Sequence, residues 1–266
     1  MNIRSLNRQY ILGVGVDNIC KDTALSAVEY FIKHRQAGNA KKIFFINVHT
    51  IHLARKDPDF KLTINNADLA LPDGSGLKIA GSIFSHPIKE NLNGTDFTPT
   101  ILRLAELNKW KVYLLGSKEN ILRECINNIE QDYPRLQIAG FHSGYFSKEE
   151  IHLLLQKINE ASPDILLVGM GSPTQEDFIY KYSNHLNAAL CFAVGGLFDF
   201  LSGDKKRAPV FIRKAGFEWA FRFFSDPKTK WNRIFVEIPS FLTLIFIARL
   251  FPNLLHPVTE RKPIYR

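Results

Sequence analysis

Residues 164–177 read DILLVGMGSPTQED, and this stretch decides the fold. Ile165 to Met170 form a nearly unbroken apolar run of strand length, as expected of a strand buried on both faces. Gly169-x-Gly171 then interrupts the run, and Pro173 opens a helical segment over 174–187. The same strand-then-helix texture extends in both directions. Strand-length runs are YILGVGV (10–16), KIFFINV (42–48), KVYLLG (111–116) and ALCFAVG (189–195), and a shorter alternation over 67–71 reads as a further strand. Helical segments fall at 21–37, 97–109, 118–131 behind Ser117 as N-cap, and 147–160, where Ser147 and Glu150 have capping-box spacing.

Strands alternating with helices specify an α/β protein with helices on both faces of a mostly parallel sheet, a Rossmann-like sheet sandwiched by helices. The length of 266 residues allows one large domain or two small ones. A hydrophobic share of 45% and a charged share of 23% exclude disorder, collagen and coiled coil. Three cysteines, Cys20, Cys125 and Cys191, are too few and too scattered for a disulfide framework or a Cys-based zinc site, which implies a reducing compartment. The N-terminal stretch has neither the long apolar run nor the cleavage site of a signal peptide.

The charge is unevenly spread. Residues 203–266 carry 13 Lys+Arg against 5 Asp+Glu, which leaves 21 of each for residues 1–202; the whole net charge of +8 sits in the last quarter. That quarter is also strongly aromatic, then apolar. An amphipathic helix is expected over 210–224 and a more apolar one over 234–252, whose longest uncharged run, Ile238–Ala248, spans 11 residues. This is short of the roughly 20 residues of a membrane crossing and suits an interfacial helix or one packed on the core. The expected organisation is an α/β catalytic domain over 1–202 and a basic, aromatic, apolar C-terminal helical appendage over 203–266 that meets an anionic membrane surface.

Four stretches could carry chemistry. In NNADLALPDGSGL (65–77), Asp73 stands at a strand end, where open α/β sheets bind ligands; a carboxylate there can serve as general base or merely cap the next helix. In VGMGSPTQED (168–177), Gly169, Gly171 and Pro173 join a strand to a helix N-terminus, a suitable seat for a nucleotide diphosphate, with Gln175 and Glu176 placed to hydrogen-bond a polar ligand or to lie on the surface of the first turn. The stretch is neither a P-loop nor a dinucleotide fingerprint. In AVGGLFDFLSGDKKRAP (193–209), Arg207 is the cation held in place by Ala208-Pro209. In NGTDF (93–97), Thr95 and Asp96 can cap a helix or touch a sugar hydroxyl. Asp57-Pro58-Asp59 has the Asp-x-Asp spacing of metal-dependent sugar transferases but lies in a charged turn, and His49 and His52 lack the context of a zinc motif.

Together these motifs resemble the WecG/TagA/CpsF glycosyltransferases. The matching stretches are FINVHTIHLA, INNADLALPDGSGL, NGTDF, VYLLGS, PDILLVGMGSPTQEDFI and AVGGLFDFLSGDKKRAPVFIRKAGFEWAFRFFSDPKTKWNRI, within residues 10–235. The resemblance implies an inverting, metal-independent enzyme needing no cofactor. It would move an N-acetylmannosamine-type sugar from a UDP-sugar to an undecaprenyl-diphosphate-linked sugar at the cytoplasmic face of the bacterial inner membrane. It implies Asp73 as catalytic base, Asn47, Gly169, Gly171, Pro173, Gln175, Glu176 and Arg207 near the donor, and Glu218 and Arg222 in the appendage that closes over the site. Many members carry Thr-x-Asn where this chain has Phe45-Ile46-Asn47. A homo-oligomer is compatible with this reading and nucleic acid is not an expected partner. The competing class is a non-enzymatic nucleotide-binding regulator on the same sheet.

Overall fold

In the computed structural model the described residues are 7–209, 212 and 218–251, with the side chains of Glu218, Arg222 and Thr229 outside that description. The chain opens with a hairpin of β1 (Arg8–Ile11) and β2 (Val14–Asp17), followed by α1 (Lys21–Lys33). The single strand expected over 10–16 is thus broken, because Leu12 and Gly13 both take positive φ (50° and 79°) and make the two-residue turn of a hairpin. Asp17, fully buried, ties this hairpin to the rest of the fold. It receives the Arg8 guanidinium (Nη2–Oδ2 2.7 Å) and the Ala70 amide (2.7 Å).

The main sheet begins with β3 (Lys41–Ile46), α2 (Val48–Lys56), α3 (Pro58–Asn65), β4 (Leu69–Pro72), α4 (Ser75–Ile83) and α5 (Gly94–Asn108). It continues with β5 (Lys111–Gly116), α6 (Glu119–Asp132), β6 (Gln137–His142), α7 (Ile151–Ala161), β7 (Ile165–Gly169), α8 (Thr174–Tyr182), β8 (Leu190–Ala193) and α9 (Leu197–Leu201). Six strands pair in the order β4-β3-β8-β7-β5-β6, all parallel. Every β-to-α turn therefore opens on one edge of the sheet, the carboxyl edge.

Alternation along each strand feeds two cores. Phe44, Ile46, Leu115, Val168 and Ala193 face one helical layer; Ile43, Phe45, Leu114, Leu167 and Phe192 face the other. Full burial of side chains such as Phe44, Phe192 and Phe198 contributes about 1.5–3 kcal/mol each. Asp57, read as part of a turn, is the N-cap of α3 and accepts the amides of Asp59 and Phe60 at 2.9 and 3.1 Å, with Pro58 at the first helical position.

Beyond Gly203 come α10 (Glu218–Ser225), α11 (Pro227–Asn232), a π-helical turn over Arg233–Glu237 and α12 (Ile238–Leu250). The helix expected over 210–224 lies partly outside the described residues. The one expected over 234–252 starts as the π turn and restarts at Ile238, where Pro239 has no N–H to bond the preceding turn. One face of α12 is core: Phe241, Ile245 and Ala248 are buried in the same cluster as α2 and α4 residues. The opposite face exposes Phe246, Ile247 and Leu250.

Candidate active site

The expected site residues gather along the carboxyl edge in two groups. The first follows β3 and β4. Asn47 ends β3 and caps α2, its Oδ1 accepting the Thr50 amide at 3.1 Å, while its Nδ2 donates to Asp73 Oδ2 at 3.1 Å. Asp73 ends β4 and its amide is tied back to Ile46 O at 2.7 Å, so the carboxylate is fixed from both backbone and side chain. Gly74 follows at φ 98°, its amide held by Asn91 Oδ1 at 2.7 Å. Asn91 was invisible in the sequence; only its position in the loop that returns to β4 marks it.

Thr95 and Asp96 do not themselves provide the cap expected of them. Asn93 caps α5, receiving the Asp96 amide at 3.0 Å and the Thr95 hydroxyl at 2.9 Å. Arg207 crosses to this group. Its Nη2 stands 2.8 Å from Asp96 Oδ1, an ion-pair contact outside hydrogen-bond geometry, and its Nη1 donates to Thr95 O at 3.2 Å. The buried Nε has no hydrogen-bond partner among the described residues. Phe45, where the resemblance leads one to expect threonine, points into the core, edge-on to Phe97 and against Gly94. It supports the start of α5 from below.

The second group follows β5, β7 and β8 and lines an open cleft of about 440 Å³ whose walls include Ser117, Tyr145, Gly169, Gly171, Thr174, Gly195 and Asp199. The floor is bare backbone because the strands end in close contact: a Cβ on Gly116 would lie 2.2 Å from Gly169 O. Ser117 is not the cap expected for α6. Its hydroxyl donates to Asp199 Oδ1 at 3.2 Å, and Lys205 Nζ reaches Asp199 Oδ2 at 2.6 Å. Sequence reading missed Ser117, Tyr145 and Asp199 as site residues, although each lies just past a strand's carboxyl end.

Gln175 and Glu176 face inward, unlike the ligand-facing or surface placement considered for them; they are 4% and 1% exposed. Gln175 Oε1 accepts the amides of Gly171 (3.3 Å) and Gly195 (2.9 Å), and Glu176 Oε1 accepts Gln175 Nε2 (2.8 Å) and the Ser172 hydroxyl (2.7 Å). Burial pushes the Glu176 carboxyl up to about 7, with the like charge of Asp177 adding to the rise and the two side-chain hydrogen bonds opposing it. Pro173 is exposed at the start of α8. The side chains of Glu218 and Arg222 lie outside the described residues.

Asp73 and Gly169 are three strand positions apart in the sheet order, about 14 Å at the usual spacing of about 4.8 Å. A carboxylate thus stands at one end of the edge and a glycine-lined cleft with a helix N-terminus at the other. The model of the glycosyl transferase WecG/TagA/CpsF family matches residues 9–254. The chain belongs to this family.

This glycosyltransferase is similar to proteins named N-acetylglucosaminyldiphosphoundecaprenol N-acetyl-beta-D-mannosaminyltransferase. One from Bacillus spizizenii is 31% identical over 212 residues, covering 80% of this chain and 78% of that protein. One from Bacillus subtilis is 28% identical over 239 residues, covering 89% and 91%. One from Staphylococcus aureus strain MW2 is 29% identical over 243 residues, covering 90% and 92%.

Proposed function

We propose that this glycosyltransferase moves an N-acetylmannosamine-type sugar from UDP to an undecaprenyl-diphosphate-linked N-acetylglucosamine, with inversion and without a metal. Support for the donor and acceptor comes from the names of the relatives; support for the mechanism comes from Asp73. Asp73 takes the proton of the acceptor hydroxyl. The freed oxygen pair attacks the anomeric carbon from the face opposite UDP, and the bond to the diphosphate breaks with its electrons passing to the phosphate oxygen. The cleft extends away from Asp73, so the sugar lies towards β3 and β4, the diphosphate over Gly171, Gly195 and the first turn of α8, and the nucleoside towards β5. The Gly171 and Gly195 amides are engaged by Gln175, so it is the positive N-terminal end of α8 that stabilises the charge developing on the diphosphate.

The lipid-linked acceptor requires approach to a membrane. Among the described residues no helix is long and apolar enough to cross one. Trp219, Phe224, Trp231, Phe235 and Phe246 are exposed along α10 to α12, together with Lys228 and Arg249. These residues fit a peripheral docking face, where each Lys or Arg near an anionic leaflet contributes about 1 kcal/mol. We assign the leaflet to the cytoplasmic face of the bacterial inner membrane, where a UDP-sugar is available.

The carrying observation is the Asp73 carboxylate fixed by Asn47 on the same edge as the cleft. The test is Asp73→Asn (D73N), assayed for sugar transfer to the lipid-linked acceptor and for UDP binding by calorimetry. Transfer is expected to vanish while UDP affinity persists. Near-normal turnover removes Asp73 from the base role. UDP release that never depends on acceptor in the unmodified enzyme removes the transferase reading.

A further inference from the structure

Two loops shape the cleft, Met170–Pro173 after β7 and Val194–Gly196 after β8, and their tips lie beyond the Val194 N to Val168 O bond of 2.8 Å. One side chain spans both. Gln175 Oε1 accepts the Gly171 amide from the first loop and the Gly195 amide from the second, at 3.3 and 2.9 Å. Gly171 and Gly195 both take positive φ (80° and 59°), and among the described residues nothing lies within 4 Å of where a Cβ would stand. The loop surfaces beside the cleft are therefore, among the described residues, unscreened backbone.

A glutamine amide can be turned either way, and only one orientation serves here. If its nitrogen faced Gly171 and Gly195, donors would meet donors. The two glycines decide the matter: their N–H groups only donate, so Gln175 must present Oε1 to them, which leaves Nε2 facing Glu176 Oε1 at 2.8 Å. Ser172, from the first loop, donates to the same oxygen at 2.7 Å.

We propose that Gln175 and Glu176 are positioning residues that never touch the donor: Gln175 clamps the two glycine loops at the separation a nucleoside diphosphate requires, and Glu176 locks Gln175 in the orientation that does so. The choice of ligand rests on the proposed function; the clamp itself does not. Glu176→Gln (E176Q) keeps an oxygen for both donors and puts its new nitrogen at the buried Oε2 position, which has no partner among the described residues. Glu176→Leu (E176L) and Gln175→Leu (Q175L) keep the bulk and remove the clamp.

Two measurements on the full-length chain separate the parts. The first is amide hydrogen exchange without ligand. Protection over residues 169–174 and 194–197 is expected in the unmodified protein and in E176Q, and is expected to fall in E176L and Q175L. Unchanged protection in a folded leucine variant overturns the clamp. The second is calorimetry with UDP together with steady-state kinetics. Each leucine variant is expected to weaken UDP binding and to raise KM for the UDP-sugar about tenfold, with kcat within about threefold and E176Q near normal. A loss of kcat alone would mean that these side chains act at the reacting atoms and would overturn their positioning role. If the unmodified chain does not bind UDP, the donor reading fails while hydrogen exchange still decides the clamp. Gln175→Met (Q175M) serves if either leucine variant does not fold.

Discussion

Raising the pH from mildly acidic to slightly alkaline should weaken this fold through one buried carboxyl, and Glu176→Gln should abolish that part of the dependence. Glu176 is 1% exposed, and burial lifts its pKa from 4.5 to about 7. In the unfolded chain the same group ionises near 4.5. Between these values the folded protein keeps a proton that the unfolded chain has released. The contribution to stability is therefore complete below about 4.5 and is lost as pH rises through about 7. The interval, at about 1.4 kcal/mol per pH unit, corresponds to about 3 kcal/mol. A glutamine at this position cannot titrate, so the unmodified protein should lose about 3 kcal/mol relative to E176Q over that range, or roughly 6–12 °C in Tm for a chain of this size. The assay is urea unfolding of both proteins at intervals from pH 4.5 to 8.5, taking the difference at each pH so that the other carboxyls cancel. Parallel stability curves would refute the reasoning, as would a gap that widens in the opposite direction.

Other perturbations test other parts of the structure. Gly116→Ala (G116A) would drive a Cβ to within 2.2 Å of Gly169 O at φ 146°, so it should cost at least about 3 kcal/mol and lower Tm steeply; a Tm within 2 °C or so of the parent would show that β5 and β7 do not meet so closely. Asp17→Ala (D17A) leaves Arg8 Nε and Nη2 and the Ala70 amide without their acceptor and should cost about 3–5 kcal/mol by urea unfolding, whereas a loss under about 1 kcal/mol would mean that the hairpin is held by its other contacts. Trp231→Ala with Phe235→Ala (W231A/F235A) should leave Tm nearly unchanged and lower retention on phosphatidylglycerol vesicles about tenfold or more; undiminished retention would move the docking face elsewhere. Truncation after Gly203 cannot replace this double variant, because it would strip Phe241, Ile245 and Ala248 from the core.

The sheet was legible because its strands are buried on both faces, and KIFFI, KVYLLG and DILLVG announce this as continuous apolar runs. β6, QIAGFH, escaped notice because it is an edge strand, half-exposed, with Gln137 and Gly140 diluting the pattern. YILGVGV read as one strand because its apolar content hides a Leu-Gly turn; periodicity carries no information on the sign of φ. The position of Asp73 just past a strand end was legible, since the turn there is written in Pro72, Gly74 and Ser75. Gln175 and Glu176 read as facing a ligand or solvent, and the structure turns them inward. The first turn of a surface helix is usually solvated, and only the arrival of the β8 loop from 20 residues away closes it over. Ser117 and Asp199 meet across 82 residues of chain, a distance no local pattern encodes.

Composition changes at Gly203, yet α12 packs into the same core as α2 and α4. The C-terminal helix that exposes Phe246 and Leu250 on one side buries Phe241 on the other, beside Gly76 at the start of α4, where a Cβ would come 3.9 Å from the Phe241 ring. In the π turn before it, Glu237, 4% exposed, accepts Asn232 Nδ2 at 3.3 Å and pairs with His49 Nδ1 at 2.8 Å, in the first turn of α2. α2 begins beside Asn47 and α4 beside Gly74, the two residues that bracket the Asp73 carboxylate in space and in sequence. A close-packed interior resists relative displacement of the helices that form it. Through α12, α2 and α4, part of the face proposed to dock on the leaflet thus shares a core with the elements that flank the carboxylate proposed to activate the acceptor, so that this part of the anchorage and the chemistry move together.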